Sequence, residues 1–241
     1  MKYKALVPKP LKLLFRLSQR KVHDYRSGYI RQFALNQSGA MPVFECRVRI
    51  QQPILPGAFF ENKVFNMQKA GKKINQVLIM PGEIFSFWEA VGCPGPWQGY
   101  RKGRNLVAEK IQGAYGGGLC QVSGILYYLA LGTGLEILER HNHSVDIYSE
   151  NERFAPLGSD ATVVYGYKDL RFRNTTGQPL YFDLDSTASQ VNACLHSPLP
   201  LAFHNPEFVR RDENDQRIVQ TEIKGNLLAV SRYRIPVDQQ K

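Results

Sequence analysis

Cysteine is scarce in this 241-residue chain, which holds only Cys46, Cys93, Cys120 and Cys194 and no C-x-x-C pair. So thin a supply argues against a small disulfide-stapled fold, a zinc ribbon and a thioredoxin-type redox pair. No uninterrupted apolar run approaches the length of a membrane span. Internal repeats and low-complexity linkers are missing as well. With 43% hydrophobic and 22% charged residues, the chain has the material for a packed core, which excludes wholesale disorder and fibrous classes.

Acid is nearly absent from the N-terminal part. Residues 1–37 carry Lys2, Lys4, Lys9, Lys12, Arg16, Arg20, Lys21, Arg26 and Arg31 against Asp24 alone, so they supply +8 of the net +10. The remainder is nearly neutral, which makes residues 1–40 a basic arm on a single body of residues 41–241. Charges break the run Leu11-Lys12-Leu13-Leu14-Phe15-Arg16-Leu17, and no small-residue cleavage site follows. The arm therefore reads as retained rather than as a signal peptide, with the protein expected in the cytoplasm. Pro10 to Arg26 reads as a basic amphipathic helix. Its apolar side either lies peripherally on an anionic membrane or packs on the body with the charges solvated. The lack of interleaved aromatics and of any nucleic-acid motif argues against a nucleic-acid partner.

Patterning along the chain points to an α+β fold with a mostly antiparallel sheet in the second half. Phe44 to Ile50 alternates as a half-buried strand does, and Phe59 to Ile74 has helical spacing. Residues 92–103 have loop composition. Leu119 to Gly132 is an apolar helix stopped by Gly132 and Gly134. Strand-like runs follow at Leu135–Leu138, Val145–Tyr148, Ala161–Tyr165, Leu170–Arg173, Leu180–Leu184 and Val191–Leu195. Arg217–Ile223 and Leu227–Tyr233 flank a Lys224-Gly225-Asn226 hairpin turn. The central helix is expected to pack on this sheet, with Cys46 and Cys194 as strand core.

Chemistry concentrates where Gly116-Gly117-Gly118 opens that helix and places Cys120 at its start. A helix N-terminus offers unpaired N–H groups and partial positive charge. Both stabilise a thiolate and lower a cysteine pKa below ~8.5. Backbone N–H groups near Gly118 and Gln121 would also hold an oxyanion, and Gly117 and Gly118 would admit a substrate close to the backbone. His141 and His143 are two apart, so on a strand both would face one side. Either would serve as the base for Cys120, oriented by Asp160, with Asp146 as the weaker alternative. Each feature has a plain reading beside it: a small buried cysteine, a tight turn, two polar loop residues. A third reading gives His141 and His143, with Cys120 or Asp160, to zinc. No other cofactor is indicated.

The ordered motifs around these residues resemble the VanW family, named for an accessory protein of vancomycin-resistance clusters. The resemblance runs from about Asn62 to Leu184. Its landmarks are Met80-Pro81-Gly82-Glu83-Ile84-Phe85-Ser86-Phe87, Gly99-Tyr100 and Gly116-Gly117-Gly118-Leu119-Cys120-Gln121-Val122-Ser123. They continue with Glu139-Arg140-His141-Asn142-His143-Ser144, Pro156-Leu157-Gly158-Ser159-Asp160 and Asp169-Leu170-Arg171-Phe172-Arg173-Asn174. Gly124 departs from the family's usual serine or threonine, and Tyr128 from its common asparagine. The resemblance implies a bacterial cell-envelope or glycopeptide-resistance context without bringing an established reaction. Three hypotheses follow. One is a thiol hydrolase or acyl transferase on an amide or ester of an envelope precursor. Another is a non-catalytic module that binds an envelope peptide or anionic ligand, with Arg140 supplying charge. The last is the zinc protein.

Overall fold

The computed structural model describes residues 8–37, 39–107, 110–146 and 153–236. Its architecture is α+β, with four α-helices and eleven strands among the described residues. Helix α1 spans Lys9–Arg26, with proline in its first turn, where the missing N–H costs nothing. Strand β1 is Glu45–Pro53, α2 is Phe60–Ile74, β2 is Ile84–Ser86 and α3 is Phe87–Val91. A β-hairpin, β3 (Lys102–Val107) and β4 (Lys110–Tyr115), leads into α4, Leu119–Gly132. The second half supplies β5 (Glu136–Glu139), β6 (Arg171–Arg173), β7 (Tyr181–Ser186), β8 (Gln190–Ser197), β9 (Glu207–Glu213), β10 (Gln216–Ile223) and β11 (Asn226–Arg234).

The strands divide among four small antiparallel sheets, ordered β1-β8-β7, β11-β10-β9, β2-β6-β5 and β3-β4. This differs from the expected single sheet of the second half, because β1 and β2 come from the first half and complete two of the sheets. Helix α4 is the hub. Apart from Cys120 and Tyr128, all its residues are buried, and it packs against α2, β1, β5 and β8. A helix apolar all round belongs in a core. Phe85, Phe172 and Phe182 fill the space nearby, with the Phe85 and Phe172 rings stacked 4.8 Å apart. Each such buried ring contributes about 1.5–3 kcal/mol.

Several sequence expectations change. The run Ala161–Tyr165 joins no sheet: Val164 makes a single bridge to Lys168 and Tyr165 begins a turn. Its residue Thr162 donates to the His141 carbonyl at 2.6 Å instead. Val145 makes a single bridge to Arg234, while Tyr148, the far end of the strand expected there, lies outside the described residues, as do Lys2 and Lys4 of the arm. Cys46 and Cys194 stand on β1 and β8 as expected, but they are joined in a disulfide with Cα atoms 5.8 Å apart. A low cysteine count thus excluded a framework but not a single bridge between neighbouring strands.

The arm's helix is docked on the body by charge. Arg20 forks onto Glu139 at 3.0 and 2.6 Å. Asp24 receives Arg171 at 2.6 and 3.0 Å, and Arg171 also pairs with Asp169 at 2.9 Å. Planar bidentate pairing of this kind is the geometry arginine favours. Among the described residues, no helix is long and apolar enough to cross a membrane.

Candidate active site

Helix α4 starts in a turn that only glycine allows. Gly118 has φ +99°, and a Cβ there would stand 2.8 Å from Lys63 Cγ and 3.0 Å from Met67 Cγ of α2. Glycine therefore lets the N-terminus of α4 abut α2. From behind, the buried Asn66 donates to the carbonyls of Gly117 (3.1 Å) and Arg101 (2.9 Å) and accepts the Arg101 N–H at 2.8 Å. This clamp fixes the turn and leaves Cys120, the second helical residue, half-buried at the surface of the core. Its sulfur lies 3.9 Å from the Val163 carbonyl.

After β5 the chain does not continue as a strand. The His143 N–H donates to Asp160 Oδ2 at 2.7 Å, and the His141 carbonyl takes Thr162. Residues 140–143 thus cross-link to 160–162 instead of to a sheet neighbour, and the two histidines diverge. His143 Nδ1 reaches Asp160 Oδ2 at 2.6 Å, which leaves Nε2 for the Cys120 thiol, its other hydrogen-bond partner. His141 instead presents Nε2 to Glu139 Oε1 at 3.0 Å. The expectation that both rings share one face fails because the segment is not a strand.

Asp160 is fully engaged. Oδ2 accepts two bonds from His143, while Oδ1 accepts Arg140 Nη2 at 3.0 Å and the Tyr233 hydroxyl. Arg140 was expected to offer its charge to a ligand. Its side chain is only 7% exposed and faces inward. It holds the Asp160 carbonyl (2.7 Å), the Gly158 carbonyl (2.8 Å) and Ser231 Oγ, with Tyr127 beneath it 4.8 Å away. It is a positioning group for Asp160. Asp146, the weaker alternative orienter, is buried and paired with Arg153 and Arg217, away from the histidines.

The charges reinforce one another. Burial favours the neutral thiol of Cys120, but the hydrogen bond and positive charge of His143 outweigh it and lower the thiol below its ordinary value. Burial likewise works against imidazolium at His143, yet the Asp160 and Cys120 contacts raise it from 6.5 to about 10. Asp160 would be raised by burial, but His143, Arg140 and the Tyr233 hydroxyl hold it well below the usual carboxylate range. The shifts all run in the direction that favours the charged forms, with Cys120 and Asp160 as anions against His143 and Arg140 as cations.

Backbone donors complete the geometry. The Gln121 N–H, expected to face an oxyanion, already donates to the Gly118 carbonyl at 3.0 Å, and its side chain donates to the Pro53 carbonyl at 2.9 Å. Among the described residues no backbone carbonyl accepts the Cys120 N–H. Gly117 and Gly118 line the same turn. The proposed zinc set does not assemble, since His141 and His143 point to different carboxylates. Among the described residues, the grouping with metal-ligand spacing is Cys46, Cys194 and His196, and there the sulfurs are bonded to each other.

Tyr233 and Ser231 were not anticipated. They sit on alternate residues of β11 and are both buried, a period-two signal for an inward face. Nothing in that signal named Asp160 or Arg140 as their partners.

Comparison with known proteins gives relatives but no template. Over 116 residues, 48% of this chain, it is 40% identical to vancomycin B-type resistance protein VanW of Enterococcus faecalis. Over 120 residues, 50% of the chain, it is 32% identical to the uncharacterized protein YoaR of Bacillus subtilis. The matched segments span 42% and 38% of those relatives, so the chain covers less than half their length. No solved structure matches. The model of the family described as VanW like protein matches residues 62–196, a span that takes in the glycine turn, Cys120, His143 and Asp160. By that match the chain belongs to the VanW family.

Proposed function

We propose that Cys120, His143 and Asp160 act as a nucleophilic triad on an amide or ester of a cell-envelope precursor, as a hydrolase or acyl transferase. The single observation that carries this reading is His143, held by Asp160 on one nitrogen and facing the Cys120 sulfur with the other. The Cys120 thiolate attacks the carbonyl carbon and forms the C–S bond. The carbonyl π electrons move to oxygen, and the Cys120 N–H at the helix N-terminus donates a hydrogen bond to the oxyanion so formed. Collapse breaks the bond to the leaving nitrogen or oxygen, which takes the Nε2 proton of His143. Water, or an acceptor amine or hydroxyl, then attacks the thioester while His143 takes its proton, restoring the thiolate. Asp160 fixes the ring and keeps it charged, in the role given to the third member of such triads.

The named relative's link to vancomycin resistance supports the envelope as the source of substrate. The Cys46–Cys194 disulfide supports work in an oxidising compartment rather than in the cytoplasm. The binding-module alternative loses its main support, since Arg140 is spent on Asp160.

The test is acyl-enzyme trapping. The full chain is incubated with a panel of peptide esters and thioesters ending in D-amino acids, then read by intact mass and peptide mapping. The expected result is an adduct on Cys120, absent in Cys120→Ala and His143→Ala. No adduct with any member, together with an ordinary thiol pKa at Cys120, would remove the enzymatic reading. Saturable binding without turnover would then leave the accessory module.

A further inference from the structure

Helix α1 carries two opposite faces, and the apolar one points away from the protein. Leu13, Leu17, Arg20 and Asp24, at i, i+4, i+7 and i+11, form the docked side. Leu13 and Leu17 lie over Gly166, and the two charged residues make the ion pairs with Glu139 and Arg171. Leu11, Leu14, Phe15, Ser18, Val22 and Tyr25 recur at i, i+3, i+4, i+7, i+11 and i+14 on the far side. There Leu14 is 59% exposed, Phe15 62% and Tyr25 71%. A surface helix normally buries its apolar stripe and solvates its charges. Here charge does the docking and the stripe, about 21 Å long at helical rise, faces solvent. A continuous exposed apolar surface of this kind marks an interaction site.

The margins of the stripe identify its partner. Lys12, Arg16 and Arg26 border one side and Lys21 the other, while the acid of the helix, Asp24, is buried against Arg171 on the docked face. The outer surface is thus purely cationic around an apolar centre that includes two aromatic rings. We infer that α1 is an interfacial helix that lays Leu11, Leu14, Phe15, Val22 and Tyr25 into an anionic lipid surface. Its flanking lysines and arginines meet the headgroups. The inference does not depend on any chemistry at Cys120.

Vesicle co-sedimentation of the full chain tests it, with phosphatidylcholine alone and with phosphatidylcholine mixed with phosphatidylglycerol. Binding is expected only to the anionic vesicles and should weaken with added salt. A Leu14→Ser/Phe15→Ser variant and a Lys12→Glu/Arg16→Glu variant should each lower partitioning by about tenfold or more. Leu14 and Phe15 lie on the side opposite the docked face, so Leu14→Ser/Phe15→Ser should keep the wild-type melting temperature and Cys120 alkylation rate. Absence of binding to anionic vesicles would overturn the inference. So would equal binding to neutral vesicles, or a dimer in analytical ultracentrifugation that Leu14→Ser/Phe15→Ser abolishes, which would assign the stripe to a second copy of the chain.

Discussion

Replacing His143 by alanine isolates what the imidazolium does for the sulfur. In the wild type, His143 stays charged up to about pH 10, and the thiol lies below its ordinary 9.0. Alkylation of Cys120 by iodoacetamide should therefore begin to rise at lower pH than that of an ordinary thiol. It should rise again near pH 10, when the ring loses its proton and leaves a more basic thiolate. In His143→Ala burial and the Asp160 charge still favour the neutral thiol, opposed only by the Val163 contact and the helix N-terminus, so its pKa should rise back toward its ordinary 9.0. At pH 7 a thiol of pKa 9.0 is about 1% ionised, so a fully ionised wild type would lead such a variant by about 100-fold in thiolate. A thiolate of lower basicity is also a weaker nucleophile, with a Brønsted slope of about 0.4–0.5. That takes back roughly half of the logarithmic gain and leaves an expected loss of about tenfold at pH 7. Asp160→Asn should fall between the two profiles, because it neutralises the orienting charge but keeps a side chain that can hold the ring. Rates measured by peptide mapping against pH, on protein with Cys93 replaced by serine, decide the matter. A wild-type profile with a single inflection near pH 9, unchanged in His143→Ala, would refute the coupling.

Acid sensitivity should centre on Glu139. Burial would raise its pKa, but His141 and Arg20 lower it from 4.5 to about 2. A depressed carboxyl contributes its stability above pH 4.5 and loses it as pH falls through about 2, a swing of about 3 kcal/mol. Melting curves of Glu139→Gln should accordingly be flatter across that window than those of the wild type. Removing the bridge in Cys46→Ala/Cys194→Ala should cost about 2–4 kcal/mol in denaturant unfolding. For a separation of 148 residues the loop-entropy limit is about 5 kcal/mol. Gly118→Ala should destabilise by about 1–3 kcal/mol through its left-handed backbone and the Lys63 contact, and should slow Cys120 alkylation by shifting the start of α4.

Periodicity made the long elements legible. The helices of residues 9–26, 60–74 and 119–132 and the strands β1, β7, β8, β10 and β11 all follow from repeats of 3.6 or 2. β9 escaped because Glu-Phe-Val-Arg-Arg-Asp-Glu shows no buried alternation; an edge strand exposed on both faces need not have one. The β3–β4 hairpin escaped because its glycines and charges have loop composition. At the site, residue types and their chain order suggested Cys120, a histidine and Asp160. Choosing between His141 and His143 required knowing that residues 140–143 leave the sheet, which depends on bonds to Thr162 and Asp160 about twenty residues away. The inward turn of Arg140 is likewise a product of β11, whose Ser231 and Tyr233 complete its surroundings. Long-range pairing of this sort leaves no local pattern, and the same holds for Cys46 with Cys194.

The segment that follows β5 serves two assemblies at once. Glu139 and His141 face the α1 ion pairs, while Arg140 and His143 face Asp160 and Cys120. This alternation raises the question of whether disturbing α1 would disturb the triad, and the bond pattern gives an answer. Arg20→Ala removes the fork onto Glu139, but Glu139 Oε1 still accepts the Asp169 N–H at 2.9 Å and meets His141. His143 is held independently through its backbone N–H and ring by Asp160. The expected outcome is a stability loss of about 1–3 kcal/mol, the range for hydrogen bonds to charged groups in a partly exposed setting. Cys120 alkylation at pH 7 should change by less than about twofold, since no bond of the triad is touched. A large fall in alkylation alongside that modest stability loss would show that Glu139 transmits the position of α1 to His143. The helix would then regulate the thiolate as well as hold the chain to a surface.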